Sequence, residues 1–355
     1  MIRLLPTLLL FGGCADQPDD GLERFVWETD TPASQGFDPA LLDSAFVQAA
    51  AMGYVDGLLV VRNGKLVAED YYNGYSQSAT HNVMSVSKSI LSALTGIALH
   101  ERFLDSLDEK VLDYFPEYIY DGIDARKYAI TIRHLMTMRM GIDIEQNNYL
   151  QALATTDWLK TALELPLLSA PGERFRYNTL ETHLLSAILT KTSGLSTLDL
   201  AREYLTDPLG IDIDYWTRDP LGYYLGGCDI HLTPREMAVF GLLYLNQGQL
   251  NGRQIVPQEW VTASLTNTWS VDTPQWGVLE NYNYGLLWWL GEINGYELYM
   301  ALGHGGQTIL IFPELQLVVV TTADYNVGWD NNQEQPILEL VAKYVLPAIQ
   351  ITAVY

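Results

Sequence analysis

The sequence contains little cysteine and little positive charge. Its 355 residues include two cysteines, Cys14 and Cys228, which are too few for a disulfide framework and lack the Cys/His spacing of a zinc site. The 20 lysines and arginines are outnumbered by 43 aspartates and glutamates, which gives a formal net charge of −23 at pH 7. Because so acidic a surface repels nucleic acid and anionic membranes, we expect neither as a binding partner.

Several common catalytic motifs are also absent. No Gly-x-Ser-x-Gly elbow occurs, which disfavours an α/β-hydrolase. His-Glu-x-x-His, the Walker loop and Gly-x-Gly-x-x-Gly are missing too, so we expect no metal or organic cofactor. With 48% hydrophobic and 18% charged residues, the chain has enough apolar side chains for a sizeable folded core.

The first 13 residues are typical of a targeting segment. Arg3 precedes a short apolar stretch, residues 4–11, that is too short to span a bilayer. Gly12 and Gly13 then precede Cys14, an order that resembles a bacterial lipoprotein signal and implies lipidation at Cys14. An ordinary secretory signal followed by a chance cysteine is the alternative.

We therefore expect a signal peptide over residues 1–13 and a polar tether over residues 14–35. The protein would be exported to the bacterial cell envelope as a periplasmic or outer-membrane lipoprotein. It would then touch the membrane only through the lipid on Cys14. If the segment is not a signal, the protein is cytoplasmic.

Residues 36–355 are predicted to form one domain. Asp38 and Pro39 begin a helical pattern, and two β-rich runs then flank the hairpin turn Asn63-Gly64. Residues 85–274 are mostly helical in pattern. Residues 275–355 return to strands, with turns at Asn294-Gly295 and Pro313-Glu314, and end in a helix near residues 335–347.

The strands at the two ends of this domain must share one sheet. We predict an α+β fold, an α/β sandwich in which helices flank an antiparallel sheet. Residues 36–84 and 275–355 would supply the sheet, and residues 85–274 would form an inserted, mostly helical region.

One short motif carries nucleophilic chemistry. The stretch HNVMSVSKSI holds the only Ser-x-x-Lys pair in the sequence, Ser85 and Lys88. Residues three apart on a helix share a face, so a lysine with a lowered pKa can take the serine's proton. The N–H of Ser85, at the start of the helix, would face a developing oxyanion. A solvated lysine on a surface helix fits the same pattern.

Two further segments could complete such a site. Tyr177, in PGERFRYNTLETHLLSAILT, precedes a capped helix, and a tyrosine beside a lysine can relay protons; core packing is the alternative. In ALGHGGQTILIFP, Gly305 and Gly306 follow His304, and paired glycines in a strand indicate a close approach to the backbone. A docked substrate would explain that approach, and so would a β-bulge beside a core or surface histidine.

Together these segments resemble the serine β-lactamase and penicillin-binding-protein superfamily. The likeness is closest to its class C-like branch of β-lactamase-related serine hydrolases, which includes esterases, D-Ala-D-Ala carboxypeptidases and 6-aminohexanoate-oligomer hydrolases. It covers about residues 27–350, with the family's order of segments: MSVSKSILSAL, ITIRHLMTMRMGID, PGERFRYNTLETHLLSAIL, GGCDIHLTPREMAVFGLLYLNQGQLNGRQIVPQEWV, and YGLLWWL followed by GHGGQ.

The resemblance implies specific roles for the matching residues. Ser85 matches the acylated nucleophile, and Lys88 and Tyr177 match the groups that share the proton transfers. The backbone N–H groups of Ser85 and Gln307 match the two donors to the oxyanion. The implied reaction is hydrolysis of a small ester, amide or peptide through a covalent acyl-enzyme.

The sequence departs from the β-lactamase pattern at two of its substrate-binding positions. Thr179 stands where the Tyr-x-Asn motif has asparagine, and His304-Gly305-Gly306 stands where β-lactamases have Lys-Thr-Gly. These replacements disfavour efficient β-lactam hydrolysis. A β-lactamase or D-Ala-D-Ala carboxypeptidase is the alternative enzyme, and a catalytically idle envelope binding module is the alternative of another class.

Overall fold

The computed structural model of the chain describes most of the expected domain. The predicted signal peptide, residues 1–13, and the predicted lipidation site, Cys14, lie outside the described residues. The described residues are 25–144, 149, 151–266, 268–271, 276–327 and 332–350. None of the helices in these ranges is long and apolar enough to cross a membrane.

The described helices lie mostly in the middle of the chain. They are α1 Pro39–Met52, α2 Val86–His100, α3 Ile132–Met136, α4 Trp158–Glu164, α5 Thr179–Ser193, α6 Thr197–Ala201, α7 Asp207–Leu209, α8 Pro234–Leu245, α9 Gln258–Thr266, α10 Glu334–Leu340 and α11 Leu346–Ala348. Short π-helical turns, Arg202–Thr206 and Val341–Val345, join α6 to α7 and α10 to α11.

The described strands lie mostly at the two ends. They are β1 Val55–Arg62, β2 Lys65–Tyr71, β3 His81–Asn82, β4 His231–Leu232, β5 Gln249–Leu250, β6 Arg253–Gln254, β7 Trp269–Ser270, β8 Glu280–Tyr284, β9 Trp289–Ile293, β10 Tyr296–Gly303, β11 Gln307–Phe312 and β12 Leu317–Ala323. Eight of them form one sheet in the order β2-β1-β12-β11-β10-β9-β8-β7, and each neighbouring pair is antiparallel. This confirms the prediction that both ends of the chain share an antiparallel sheet.

The central strands are buried on both faces. Leu59 and Val61 of β1 point into a core shared with α2 and α8, whereas Leu58 and Val60 point into a second core shared with α1 and α10. Because successive side chains of a strand face opposite sides, this alternation places helices on both faces of the sheet. The fold is the α+β sandwich that the sequence predicts.

The turn signals of the sequence are confirmed. Asn63-Gly64 joins β1 to β2, and Asn294-Gly295 joins β9 to β10. Asp38 caps α1 by accepting from the N–H groups of Ala40 and Leu41. The closing helical segment runs from Glu334 to Ala348, one residue beyond each predicted bound.

Two local expectations differ from the structure. Residues 25–35, expected as the end of a tether, pack on the domain: the N–H of Leu66 donates to Glu28 O, and the N–H of Asp30 donates to Leu66 O. In ITIRHLMTMRMGID the sequence predicts a helix from Thr131 as N-cap to Gly141 as stop, but α3 ends at Met136, whose carbonyl instead accepts from the N–H of Leu287. Both differences come from long-range contacts that local periodicity does not report.

Candidate active site

Ser85 lies at the turn between β3 and α2. Met84, just before it, has a φ of 49°, a strained conformation for a residue with a side chain, and its N–H donates to Asn82 Oδ1 at 2.9 Å. This turn places Ser85 at the N-cap position of α2, partly exposed. The helix is buried from Val86 to Ala98, over all but its last two residues. Ser85 is therefore presented to solvent from a rigid, buried helix.

Lys88 is held in a buried cage of oxygen atoms. Its side chain is inside the protein, with 1% of the residue exposed. The Nζ atom donates to Ser85 Oγ at 2.9 Å, to Thr179 Oγ1 at 2.8 Å and to the Gly227 carbonyl at 2.8 Å. The alternative interpretation of the motif, a solvated lysine on a surface helix, is therefore wrong.

This cage suits a lysine that acts as a base. A neutral amine has two N–H groups and one lone pair, and Thr179 Oγ1 and the Gly227 carbonyl can hold the two N–H groups. The lone pair then faces Ser85 Oγ.

Tyr177 lies beside the same lysine. The Nζ of Lys88 sits over the Tyr177 ring, 4.8 Å from its centroid. Asn178, which follows, caps α5 by accepting from the N–H of Leu180, and its own amide donates to Asp143 O at 2.8 Å. The cap fixes the chain immediately after Tyr177, so the three residues expected to carry the chemistry share one site.

The end of β10 contacts the segment before Ser85. A Cβ atom at Gly303 would lie 2.3 Å from Val83 O and 3.1 Å from Met84 Cβ, so only glycine fits there. The close approaches predicted at Gly305 and Gly306 are also present, since a Cβ there would lie 2.5 Å from Tyr325 Cα and 2.6 Å from Ile337 Cδ1, respectively. Sequence reasoning missed the third close approach, at Gly303, which is the one that faces the segment before Ser85.

The other residues predicted for substrate binding or for the oxyanion are mostly buried against protein groups. Thr179 has 1% exposure and contacts Lys88. Gly305 and Gly306 are buried, and the N–H of Gly305 donates to Glu334 Oε1 at 2.8 Å. Gln307 is fully buried, with its side-chain amide bound to the Ala323 backbone. His304 alone of these is partly exposed.

A loop that sequence reasoning missed supplies part of the lysine cage. Gly227 lies beside α5, where a Cβ on the preceding Gly226 would lie 2.0 Å from Thr182 O. The same loop is tied to α5 by His183 and Asp219, whose Nε2 and Oδ2 atoms are 3.0 Å apart and wholly buried. The Gly-Gly pair was the available signal for this close approach.

The sequence of the chain places this geometry in a known family. Residues 43–343 match the beta-lactamase family, and that span is well over half of the chain. The chain belongs to the beta-lactamase family. Similar proteins include enzymes described as hydrolases. This beta-lactamase-family protein is a serine hydrolase of the β-lactamase and penicillin-binding-protein superfamily.

Three similar proteins illustrate the range of this family. The 6-aminohexanoate-dimer hydrolase of Paenarthrobacter ureafaciens is 24% identical over 299 residues, 76% of this chain and 72% of that protein. The octameric penicillin-binding protein homologue from Pyrococcus abyssi superposes with a TM-score of 0.67 at 19% identity, covering 87% of this chain and 77% of that one. EstCE1, a hydrolase with promiscuous acyltransferase activity, has a TM-score of 0.68 at 17% identity, covering 86% and 99%. At these identities the two structural matches establish the fold.

Proposed function

We propose that the protein hydrolyses a small ester or amide through a covalent intermediate on Ser85. The observation that carries this proposal is the position of Lys88, whose Nζ is 2.9 Å from Ser85 Oγ while two other oxygens hold its remaining hydrogens. A serine hydroxyl becomes a useful nucleophile only when a neighbouring base removes its proton. Lys88 is placed to be that base, with Tyr177 beside it to relay protons.

The reaction divides into two acyl transfers. Ser85 Oγ attacks the substrate carbonyl while its proton passes to Lys88 and Tyr177. The tetrahedral intermediate then collapses, the alcohol or amine leaves with that proton, and an ester on Ser85 remains. Water attacks this ester, giving one proton to the same pair, and Ser85 recovers a proton as the acid leaves.

Backbone N–H groups would stabilise the oxyanion of each intermediate. Ser85 supplies one from its position at the start of α2. For the second donor, the sequence indicated Gln307, but that residue is fully buried. The backbone N–H of His304 has better support as the second donor. His304 is partly exposed, and the preceding residue, Gly303, contacts Val83 in the segment before Ser85.

The nucleophile is tested by substitution and by a covalent probe. Ser85→Ala should abolish hydrolysis of a p-nitrophenyl ester, and a fluorophosphonate should label the wild-type protein at Ser85 alone. Ser44→Ala, which alters a serine of α1 on the far face of the sheet, is the matched control and should keep full activity. Labelling at another residue, or an active Ser85→Ala variant, would contradict the proposal.

The substrate class is tested by a panel of esters, linear amides, D-Ala-D-Ala peptides and nitrocefin. The second candidate is a β-lactamase or D-Ala-D-Ala carboxypeptidase. Of these two activities, efficient β-lactam hydrolysis is disfavoured by His304, which stands where β-lactamases have an obligate cation, lysine, for the substrate carboxylate. We expect turnover of uncharged esters to exceed that of nitrocefin. Absence of both turnover and probe adduct would favour the envelope binding module instead.

We further propose that the protein is exported and anchored by lipid at Cys14. The support is the order of the first residues, in which Arg3, an apolar stretch and two glycines precede Cys14. Metabolic labelling with a fatty acid should mark the wild-type protein in the envelope fraction and leave Cys14→Ala unlabelled. Equal labelling of both proteins would contradict the anchor.

A further inference from the structure

The ring of Tyr177 is stacked against a tryptophan of the sheet. The centroids of Tyr177 and Trp289 are 5.4 Å apart, and their planes differ by 22°. Lys88 Nζ lies over the same tyrosine ring. The group that would relay protons is therefore in contact with the catalytic lysine and stacked on one indole, while the Tyr284 ring meets it edge-on at 6.1 Å.

Trp289 is itself held by three more rings. Tyr282 stacks on it at 4.9 Å with an interplanar angle of 7°, and Tyr284 and Phe175 meet it edge-on at 4.5 and 5.8 Å. Its backbone is paired on both sides, with Tyr284 of β8 and with Met300 of β10. The indole therefore has no room to rotate without disturbing several neighbours.

The Tyr177 ring is carried by a loop segment. Tyr177 precedes the cap of α5 and is not in a helix or strand. The plane of an aromatic ring on a loop is set by the groups that pack on it, because rotation about its terminal side-chain bond is soft. Stacked aromatic pairs contribute about 0.5–1.5 kcal/mol beyond the area that they bury.

We propose that Trp289 is a positioning residue that sets the plane of the Tyr177 ring beside Lys88. It would act through Tyr177 and would not touch the reacting atoms. This inference rests on the proposed function, since it assumes that Tyr177 takes part in proton transfer. Trp289 would thereby link the outer strands of the sheet to the proton relay.

The experiment compares Trp289→Leu with Trp289→Phe on a p-nitrophenyl ester. Misplacing a catalytic group by about 1 Å can cost roughly 100-fold in rate, so we expect kcat of Trp289→Leu to fall by about 10- to 100-fold with little change in KM. Trp289→Phe keeps a ring and should recover most of the loss. The matched control is Trp276→Leu, because Trp276 contacts Tyr282 at 5.8 Å and should leave kcat unchanged.

A double-mutant cycle with Tyr177→Phe separates positioning from a general loss of structure. If Trp289 acts through Tyr177, then Trp289→Leu should cost little further activity once Tyr177 has lost its hydroxyl. Additive effects, or a Trp289→Leu enzyme with wild-type kcat, would overturn the inference alone. A fully active Tyr177→Phe enzyme would instead overturn the catalytic assignment of Tyr177. Thermal unfolding of each variant shows whether it is folded. If Trp289→Leu misfolds, the same double-mutant cycle is made with Trp289→Phe and Tyr177→Phe. We then expect a smaller loss of kcat that is again non-additive.

Discussion

Lys88 Nζ donates a 2.8 Å hydrogen bond to Oγ1 of Thr179, a residue 91 positions further along the chain. Removing this acceptor with Thr179→Val leaves one N–H of a buried amine without its partner. Leaving a buried donor without its acceptor costs about 1–3 kcal/mol, so we expect kcat to fall by roughly 5- to 150-fold. Thr179→Ser keeps the hydroxyl and should retain most activity. Steady-state kinetics on a p-nitrophenyl ester compare the two, and equal activities would show that the bond does not matter.

His183 and Asp219 form a wholly buried pair that joins α5 to the loop carrying Gly227. Removing one partner leaves the other polar group buried without its hydrogen bond, which typically costs about 1–3 kcal/mol. We therefore expect Asp219→Ala to lower the free energy of unfolding by about that amount in urea titration, and Asp219→Asn by less.

The ion pair of Lys343 and Glu339 provides the matched control for this prediction. Both side chains are largely exposed, at 61% and 43%, and an exposed pair one helical turn apart contributes about 0.3–0.5 kcal/mol. Glu339→Ala should therefore hardly change the unfolding curve. A similar loss in Asp219→Ala and Glu339→Ala would contradict a special role for the buried pair.

Glu181 of α5 makes folding depend on pH. Complete burial raises the pKa of its carboxyl well above the usual value, although the N–H of Met140 donates to one oxygen at 3.1 Å. In the unfolded chain this carboxyl loses its proton near the ordinary pKa of about 4.5, whereas the folded protein keeps the proton to higher pH. The contribution of Glu181 to stability is therefore complete below that pKa and is lost as the pH rises towards the folded value.

Glu181→Gln should remove this pH dependence. Between the two pKa values, one retained proton lowers the free energy of unfolding by about 1.4 kcal/mol per pH unit. The wild-type protein should thus lose stability relative to Glu181→Gln as the pH rises above about 5, while the two curves converge near pH 4. Urea unfolding across this range measures the difference, and parallel curves would be the contrary result.

Gly303 is expected to tolerate no side chain. The Cβ of Gly303→Ala would lie 2.3 Å from Val83 O, so β10 and the turn before Ser85 would have to separate. A shift of about 1 Å in this region can cost roughly 100-fold in rate, and the loss should appear as slower labelling of Ser85 by a fluorophosphonate. Gly295→Ala, in the open β9–β10 turn with nothing within 4 Å, is the control and should affect stability more than labelling.

Much of the site was recognisable from the sequence, because its chemistry is concentrated in short motifs. Ser85 and Lys88 are one helical turn apart, so their contact follows from helix geometry once α2 is predicted. Tyr177 was identified by its place before a capped helix, and the structure brings it to Lys88. The contact of Lys88 with the Gly227 carbonyl was not predicted, because Gly227 reaches Lys88 only when its loop folds against α5.

The sequence by itself determined the strands, the turns and the order of the catalytic motifs, because alternation, glycine turns and helix caps act over a few residues. Only the tertiary structure decided which glycine of ALGHGGQ contacts the segment before Ser85 and that Thr179 accepts a hydrogen bond from Lys88. It also decided that residues 25–35 pack on the domain. These outcomes depend on how separate elements pack, and packing is settled by the fit of surfaces far apart in the chain.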